Sequence, residues 1–120
     1  GTQQYGGRAG SGGRAEARMI LGLVRTTAAG YRLENDNSCV GFSNAVAGIG
    51  AAADQIPTAC RVTHYFSYAL TSAVGNGLTL TATRCVGVAG KQPGASAALT
   101  LTLTTDFVNG TDVWGGTGGY

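Results

Sequence analysis

The stretch "EARMILGLVRTTAAGYRLEN", residues 16–35, decides the fold. Ala17, Ile20, Leu23, Val24, Thr27, Ala28 and Tyr31 recur at the i, i+3, i+4, i+7 spacing of one helical face. Arg18, Arg25, Arg32 and Glu34 fall largely elsewhere. The spacing predicts a helix over 14–35, with Ile20, Leu23, Val24 and Tyr31 as its packing stripe. Gly22 and Gly30 weaken it by up to about 1 kcal/mol each relative to alanine. Such glycines are tolerated where a neighbouring backbone comes close. "ENDNS", residues 34–38, supplies the turn-forming and left-handed-tolerant side chains that end it.

Upstream, "GGRAGSGGR", residues 6–14, lacks periodicity, and residues 1–13 read as a flexible glycine-rich lead-in. Downstream, 36–59 is irregular. A short helix from Ser43 to Ala53, capped by Ser43, is the one regular element expected there. After Cys60 the period changes from 3.6 to 2. "RVTHYFSYAL" (61–70) is rich in β-branched and aromatic residues, "AVGNG" (73–77) is a turn signal, and "LTLTATRCVG" follows. Leu78, Leu80 and Ala82 share one face, with Thr79, Thr81 and Thr83 on the other. "ALTLTLTTDF" repeats the alternation with Leu99, Leu101 and Leu103. These segments form a meander over 60–107, and 108–120 is a tail.

An amphipathic helix and a one-sided antiparallel sheet each need a cover, and each supplies the other's. The fold class expected is therefore α+β, one domain over 14–120. In it an N-terminal amphipathic helix lies across a three- to four-stranded antiparallel sheet. A chain of 120 residues is long enough for one such core.

Composition narrows the function classes. Charged residues make up 12% and glycine contributes 21 positions, which suits a secreted or surface-exposed β-rich protein better than a cytosolic enzyme. The net charge of +2 is unevenly placed. Arg8, Arg14, Arg18, Arg25 and Arg32 face only Glu16 and Glu34 in the first 35 residues. A basic helix of this kind offers Arg14, Arg18 and Arg25 as phosphate contacts for DNA, against the plainer reading of solvated arginines. No apolar run approaches the ~20 residues of a membrane span.

Three cysteines, Cys39, Cys60 and Cys85, are too far apart for a CxxC metal or redox motif. Cys39 and Cys60 bracket the irregular region. A bridge between them is the favoured pairing, worth about 3 kcal/mol on the loop-entropy relation. Cys60–Cys85 is the competitor and requires a bend. The leftover thiol is expected to be buried. His64, the one histidine, has no nucleophile-elbow motif beside any serine and reads as a sheet-surface residue. A small secreted hydrolase using His64 and Cys85 would require the two to meet in a cleft. Asp106, Asn109 and Asp112 offer hard oxygen ligands of the kind calcium takes, although their spacing is not that of an EF-hand. No phosphate-binding loop, dinucleotide fingerprint or carboxylate pair is present, so no catalytic residue or other cofactor is expected.

Ala15-Glu16-Ala17-Arg18, Leu21, Arg25-Thr26 and Tyr31 through Asn35 stand where type IV pilins and type II secretion pseudopilins carry similar residues in their post-membrane helix. "TATRC" (81–85), "LTLTTD" (101–106) and "GTDVWGG" (110–116) resemble the final strands of such subunits. The resemblance spans most of 14–120. It implies a pilin-like roll and a structural subunit of a pilus or pseudopilus, without enzymatic activity, that self-assembles through its N-terminal helix. It further implies a hydrophobic half-helix upstream of Gly1, anchoring the subunit in the inner membrane before assembly. The mature place is then the cell surface, the extracellular space or the periplasm. A calcium ion near the C-terminus, as in major pseudopilins, is implied for the Asp106–Asp112 loop. A minor or tip subunit that captures DNA or a surface ligand is the alternative.

Overall fold

A computed structural model describes residues 11–51, 55–91 and 95–120. Among the described residues, two helices and four strands follow one another: α1 (Ser11–Glu34), α2 (Asn44–Ala47), β1 (Phe66–Val74), β2 (Gly77–Arg84), β3 (Thr100–Asp106) and β4 (Thr111–Gly115). The strands form one antiparallel sheet in the order β1-β2-β3-β4, and α1 packs across it. The expected α+β arrangement of one long helix on an antiparallel sheet is therefore observed.

α1 begins at Ser11, so residues 11–13 of the expected lead-in are helical and Gly13 is buried. Residues 1–10 lie outside the described residues. The helix buries Ala17, Ile20, Leu21, Val24 and Ala28. Leu23, expected in the stripe, is instead 56% exposed, and Leu21 takes its place at 1%. At 3.6 residues per turn, Leu23 lies about 120° round the helix from Ala17 and Leu21 only about 40°. Pairwise spacings of three and four, chained too far, had drifted onto the flank. Tyr31 is half-buried; its hydroxyl donates to Val40 O at 3.0 Å and its ring meets Phe42 at 5.4 Å. Asp36 and Asn37 are left-handed (φ 55° and 57°), and Asn37 N–H closes the last turn on Arg32 O. The stop signal in "ENDNS" acts as read.

Ser43 caps α2, accepting from Val46 N–H at 3.3 Å, but the helix is a single turn ended by left-handed Gly48. The expected extension towards Ala53 does not form through Gly48 to Gly50, and residues 52–54 lie outside the described residues. Asn44 Oδ1 accepts Leu70 N–H at 2.9 Å, pinning this turn to β1.

Within the sheet, Leu80 faces Leu103 and Ala82 faces Leu101 on the helix side, joined by Phe66, Tyr68 and Leu78. The opposite face pairs Thr79 with Thr104, Thr81 with Thr102 and Thr83 with Thr100. β1 starts at Phe66, five residues later than the aromatic run suggested, because 61–64 turns back (His64 N–H to Arg61 O, 3.1 Å). Gly77 is required where β2 meets β3, since a Cβ there would collide with the Thr105 carbonyl oxygen.

The disulfide joins Cys60 to Cys85, and Cys39 is free and buried. This corrects the expected Cys39–Cys60 pairing. Cys39 N–H bonds to Gly75 O at the far end of β1, whereas Cys85 N–H bonds to Tyr65 O at its beginning. The nine residues of β1 separate those ends by about 30 Å at the usual rise per residue. The turn at 61–64 supplies the bend that brings Cys60 to Cys85.

β4 corrects the expectation of a tail over 108–120. Asp106 Oδ1 accepts from Val108 N–H and Asn109 N–H at 2.9 and 3.0 Å, and left-handed Gly110 completes the reversal. The chain then pairs back along β3, with Trp114 opposite Leu103.

Candidate functional site

Three flanks of α1 differ in chemistry, the second and third meeting at Met19 and Leu23. The basic flank carries Arg14, Arg18, Arg25 and Arg32, at steps of four and seven that keep them in one line. Each guanidinium stacks on an aromatic ring of the chain's C-terminal part. Arg14 lies 5.2 Å from the Tyr120 ring centre, Arg18 4.8 Å from Trp114, Arg25 5.2 Å and Arg32 5.8 Å from Phe107. Arg25 Nε also donates to Asp112 Oδ1 at 2.8 Å. Such contacts stabilise by about 0.5–1 kcal/mol each at exposed sites, and a surface ion pair adds under ~1 kcal/mol. These arginines are thus engaged within the fold, and Arg8 lies outside the described residues.

The acidic candidates divide between two tasks. Asp106 binds its own turn, accepting from Asn109 Nδ2 at 2.7 Å besides the two backbone amides. The Asn109 amides hold its carboxyl below the usual range. Asp112 Oδ1 accepts from Arg25 and from Thr105 Oγ1 at 2.8 Å. The Arg25 hydrogen bond lowers its pKa, with burial opposing and Thr105 reinforcing. Asp106 and Asn109 come together while Asp112 is directed to the helix. Among the described residues, no cluster of three His, Cys, Asp or Glu side chains suited to a metal is present.

The second flank is built on Glu16. Its carboxylate accepts from Tyr65 N–H (3.1 Å), Phe66 N–H (3.3 Å) and Tyr68 Oη–H (2.6 Å), tying α1 to the start of β1. Burial, then the Glu16 hydrogen bond and charge, push the Tyr68 hydroxyl far above its ordinary pKa. On the far side of the same peptide, Arg84 Nη1 donates to Tyr65 O at 3.4 Å. The Arg84 guanidinium, 1% exposed, lies over the Tyr65 and Phe66 rings at 4.7 and 5.5 Å. Burial lowers its pKa, with Tyr65 and Glu16 opposing. A negative and a positive group are thus bridged by one peptide bond and its neighbouring rings. In the sequence Glu16 entered only through charge balance and resemblance, and nothing marked Arg84 as its partner.

His64 sits just before β1 instead of on a strand face. Its Nε2–H donates to Gln55 O at 3.0 Å, and Nδ1 shares a hydrogen bond with Thr63 Oγ1 at 2.9 Å. Cys85 is held in the disulfide, which removes the thiol that a His64–Cys85 hydrolase would use as nucleophile. Between α1 and the 55–64 segment a cleft of about 540 Å³ opens, walled by Met19, Ile20, Leu23 and Ile56 and bordered by Glu16 and His64.

The third flank faces outward and carries no charge. Ala15, Met19, Gly22, Thr26, Ala29 and Leu33 follow the alternating four-three step of a heptad seam, with Leu23 and Gly30 beside it. Met19 is 68% and Leu33 75% exposed. A Cβ at Gly22 or Gly30 would meet nothing within 4 Å. The close backbone that would account for these glycines is therefore not within the described part of the chain.

Comparison of the chain with protein-family models, with curated proteins and with solved structures returns no match.

Proposed function

We propose that the protein is a structural subunit of a filament of the type IV pilin or pseudopilin kind, assembling through α1 with its sheet and loops at the filament surface. The reading rests on the outward flank of α1. A helix face exposed to water ordinarily carries charge, yet from Ala15 to Leu33 this one offers apolar and small side chains at a coiled-coil period. Gly22 and Gly30 give a second helix room to approach closely. The sheet side of α1 already has its partner, so this flank is left to make contact with another subunit. The resemblance of the helix and of the closing strands to pilin-like subunits supports the same reading, as do the disulfide and the low charge. The arginine flank, stacked on Trp114, Tyr120 and Phe107, favours the assembly reading over capture of DNA.

Amide NMR spectra recorded over a rising concentration series test this. Line broadening is expected at Ala15, Met19, Gly22, Thr26, Gly30 and Leu33, and it should vanish in Gly30→Glu. Broadening confined to the threonine face, or none at millimolar concentration, would refute the reading.

A further inference from the structure

The cleft beside Glu16 has a composition that selects a ligand. Its volume of about 540 Å³ falls within the range of small-molecule sites. The wall is aliphatic: Met19, Ile20 and Leu23 descend one side along α1, and Ile56 closes the other. Among the described residues, Glu16 is the one carboxylate lining it, and no lysine or arginine does so. A carboxylate oxygen offers two acceptor positions. Oε2 receives Phe66 N–H, the Tyr68 hydroxyl and a share of Tyr65 N–H, whereas Oε1, among the described residues, receives only that shared Tyr65 N–H and has room for a further donor. Arg84 approaches from the sheet side, behind the Tyr65 peptide, so its charge does not enter the cleft. Gln55 and Thr63, which also line it, carry further oxygen acceptors.

We propose that this cleft binds a small apolar chain ending in an ammonium group. The three ammonium hydrogens match Glu16 Oε1, the Gln55 amide oxygen and the Thr63 hydroxyl, and the hydrocarbon lies against Met19, Ile20, Leu23 and Ile56. An ammonium-headed chain complements the charge of the site, whereas a carboxylate-headed one would place two like charges together in a partly apolar setting. The inference does not depend on the filament reading: the cleft shares Met19 and Leu23 with that flank, but Thr26, Ala29 and Leu33 of the seam take no part in it.

Titration with n-octylammonium, n-octanol and n-octanoate, below their micelle concentrations and followed by amide and methyl NMR shifts, tests it. Saturable shifts at Ile20, Ile56 and His64 are expected, with octylammonium at least tenfold tighter than octanol and octanoate showing no saturation. Glu16→Gln should bring octylammonium down to the level of octanol. Because Glu16 also ties α1 to β1, the exposed substitution Met19→Lys provides a second arm. It adds a cation at the cleft and should abolish octylammonium binding in a protein that keeps its spectrum. Leu33→Glu, aimed at self-association, should leave binding unchanged. Equal binding of octanoate, shifts centred on Leu33, or no saturation with any of the three would overturn the proposal.

Discussion

Replacing Leu21 by alanine, and separately Leu23 by alanine, removes the same atoms from positions two residues apart on α1. Leu21 is 1% exposed and packs within the core cluster that includes Leu80 and Leu103. A buried Leu→Ala change combines lost transfer energy with a residual cavity and costs about 2–5 kcal/mol. Taking about 3 kcal/mol, and an unfolding entropy of about 2 cal/mol/K per residue, the melting temperature should fall by about 12 °C. Leu23 is 56% exposed, and alanine has the higher helix propensity. Its replacement should change stability by no more than about 0.5 kcal/mol, or about 2 °C. Far-UV circular dichroism melts of the wild type and the two variants under non-reducing conditions give both numbers. Equal losses at the two positions, or a larger loss at Leu23, would show that α1 is rotated about its axis from the orientation described and would undo the flank assignments built on it.

Reduction of Cys60–Cys85 opens a loop of 25 residues' separation and should lower stability by about 3.5 kcal/mol, read from urea melts with and without dithiothreitol. Cys39 should resist alkylation in the folded protein and react fully in urea, since it is buried and burial raises its thiol pKa; mass spectrometry of iodoacetamide adducts reads this directly. Glu16→Ala leaves the Tyr65 amide and the Tyr68 hydroxyl without their acceptor and should cost about 2–3 kcal/mol, with Tyr68→Phe costing less, measured by denaturant unfolding. Asp106 and Asp112 have depressed pKa values in the fold, so their contribution is complete above the ordinary aspartate pKa of about 4 and is lost as pH falls through the lower folded values. Acid titration monitored at Trp114 should accordingly show loosening of the β3–β4 hairpin only below about pH 4, and Asp106→Asn should flatten that response.

The alternation of Leu and Thr in 78–83 and 99–104 made the sheet and its two faces legible, because a period of two admits one arrangement once a core is needed. The helix was equally legible, and so was its stop at Asp36 and Asn37. The rotation of the helix was not. Leu21 and Leu23 both satisfy a pairwise spacing rule, and only the summed angle separates them. The disulfide was misread for a related reason, since chain separation says nothing about which end of a strand a loop returns to. The residues themselves read as a tail at β4 because Gly115 and Gly116 look like loop, and only the resemblance of 110–116 to a closing strand pointed to it; its pairing is imposed by the Asp106–Gly110 turn. Around the cleft, Glu16 and His64 stand 48 positions apart, and the two meet only because β1 starts late.

The arginine flank has a consequence for how the molecule comes apart. Every residue of β4 is exposed, so this strand is held at the rim by ladder hydrogen bonds, by Arg18 stacking on Trp114 and by the Arg25–Asp112 ion pair, with no buried aliphatic anchor of its own. Edge strands bearing charge and large rings resist pairing with foreign strands. The same construction makes β4 a separately detachable latch, whose amides exchange with solvent ahead of those of β2 and whose release leaves the leucine layer covered.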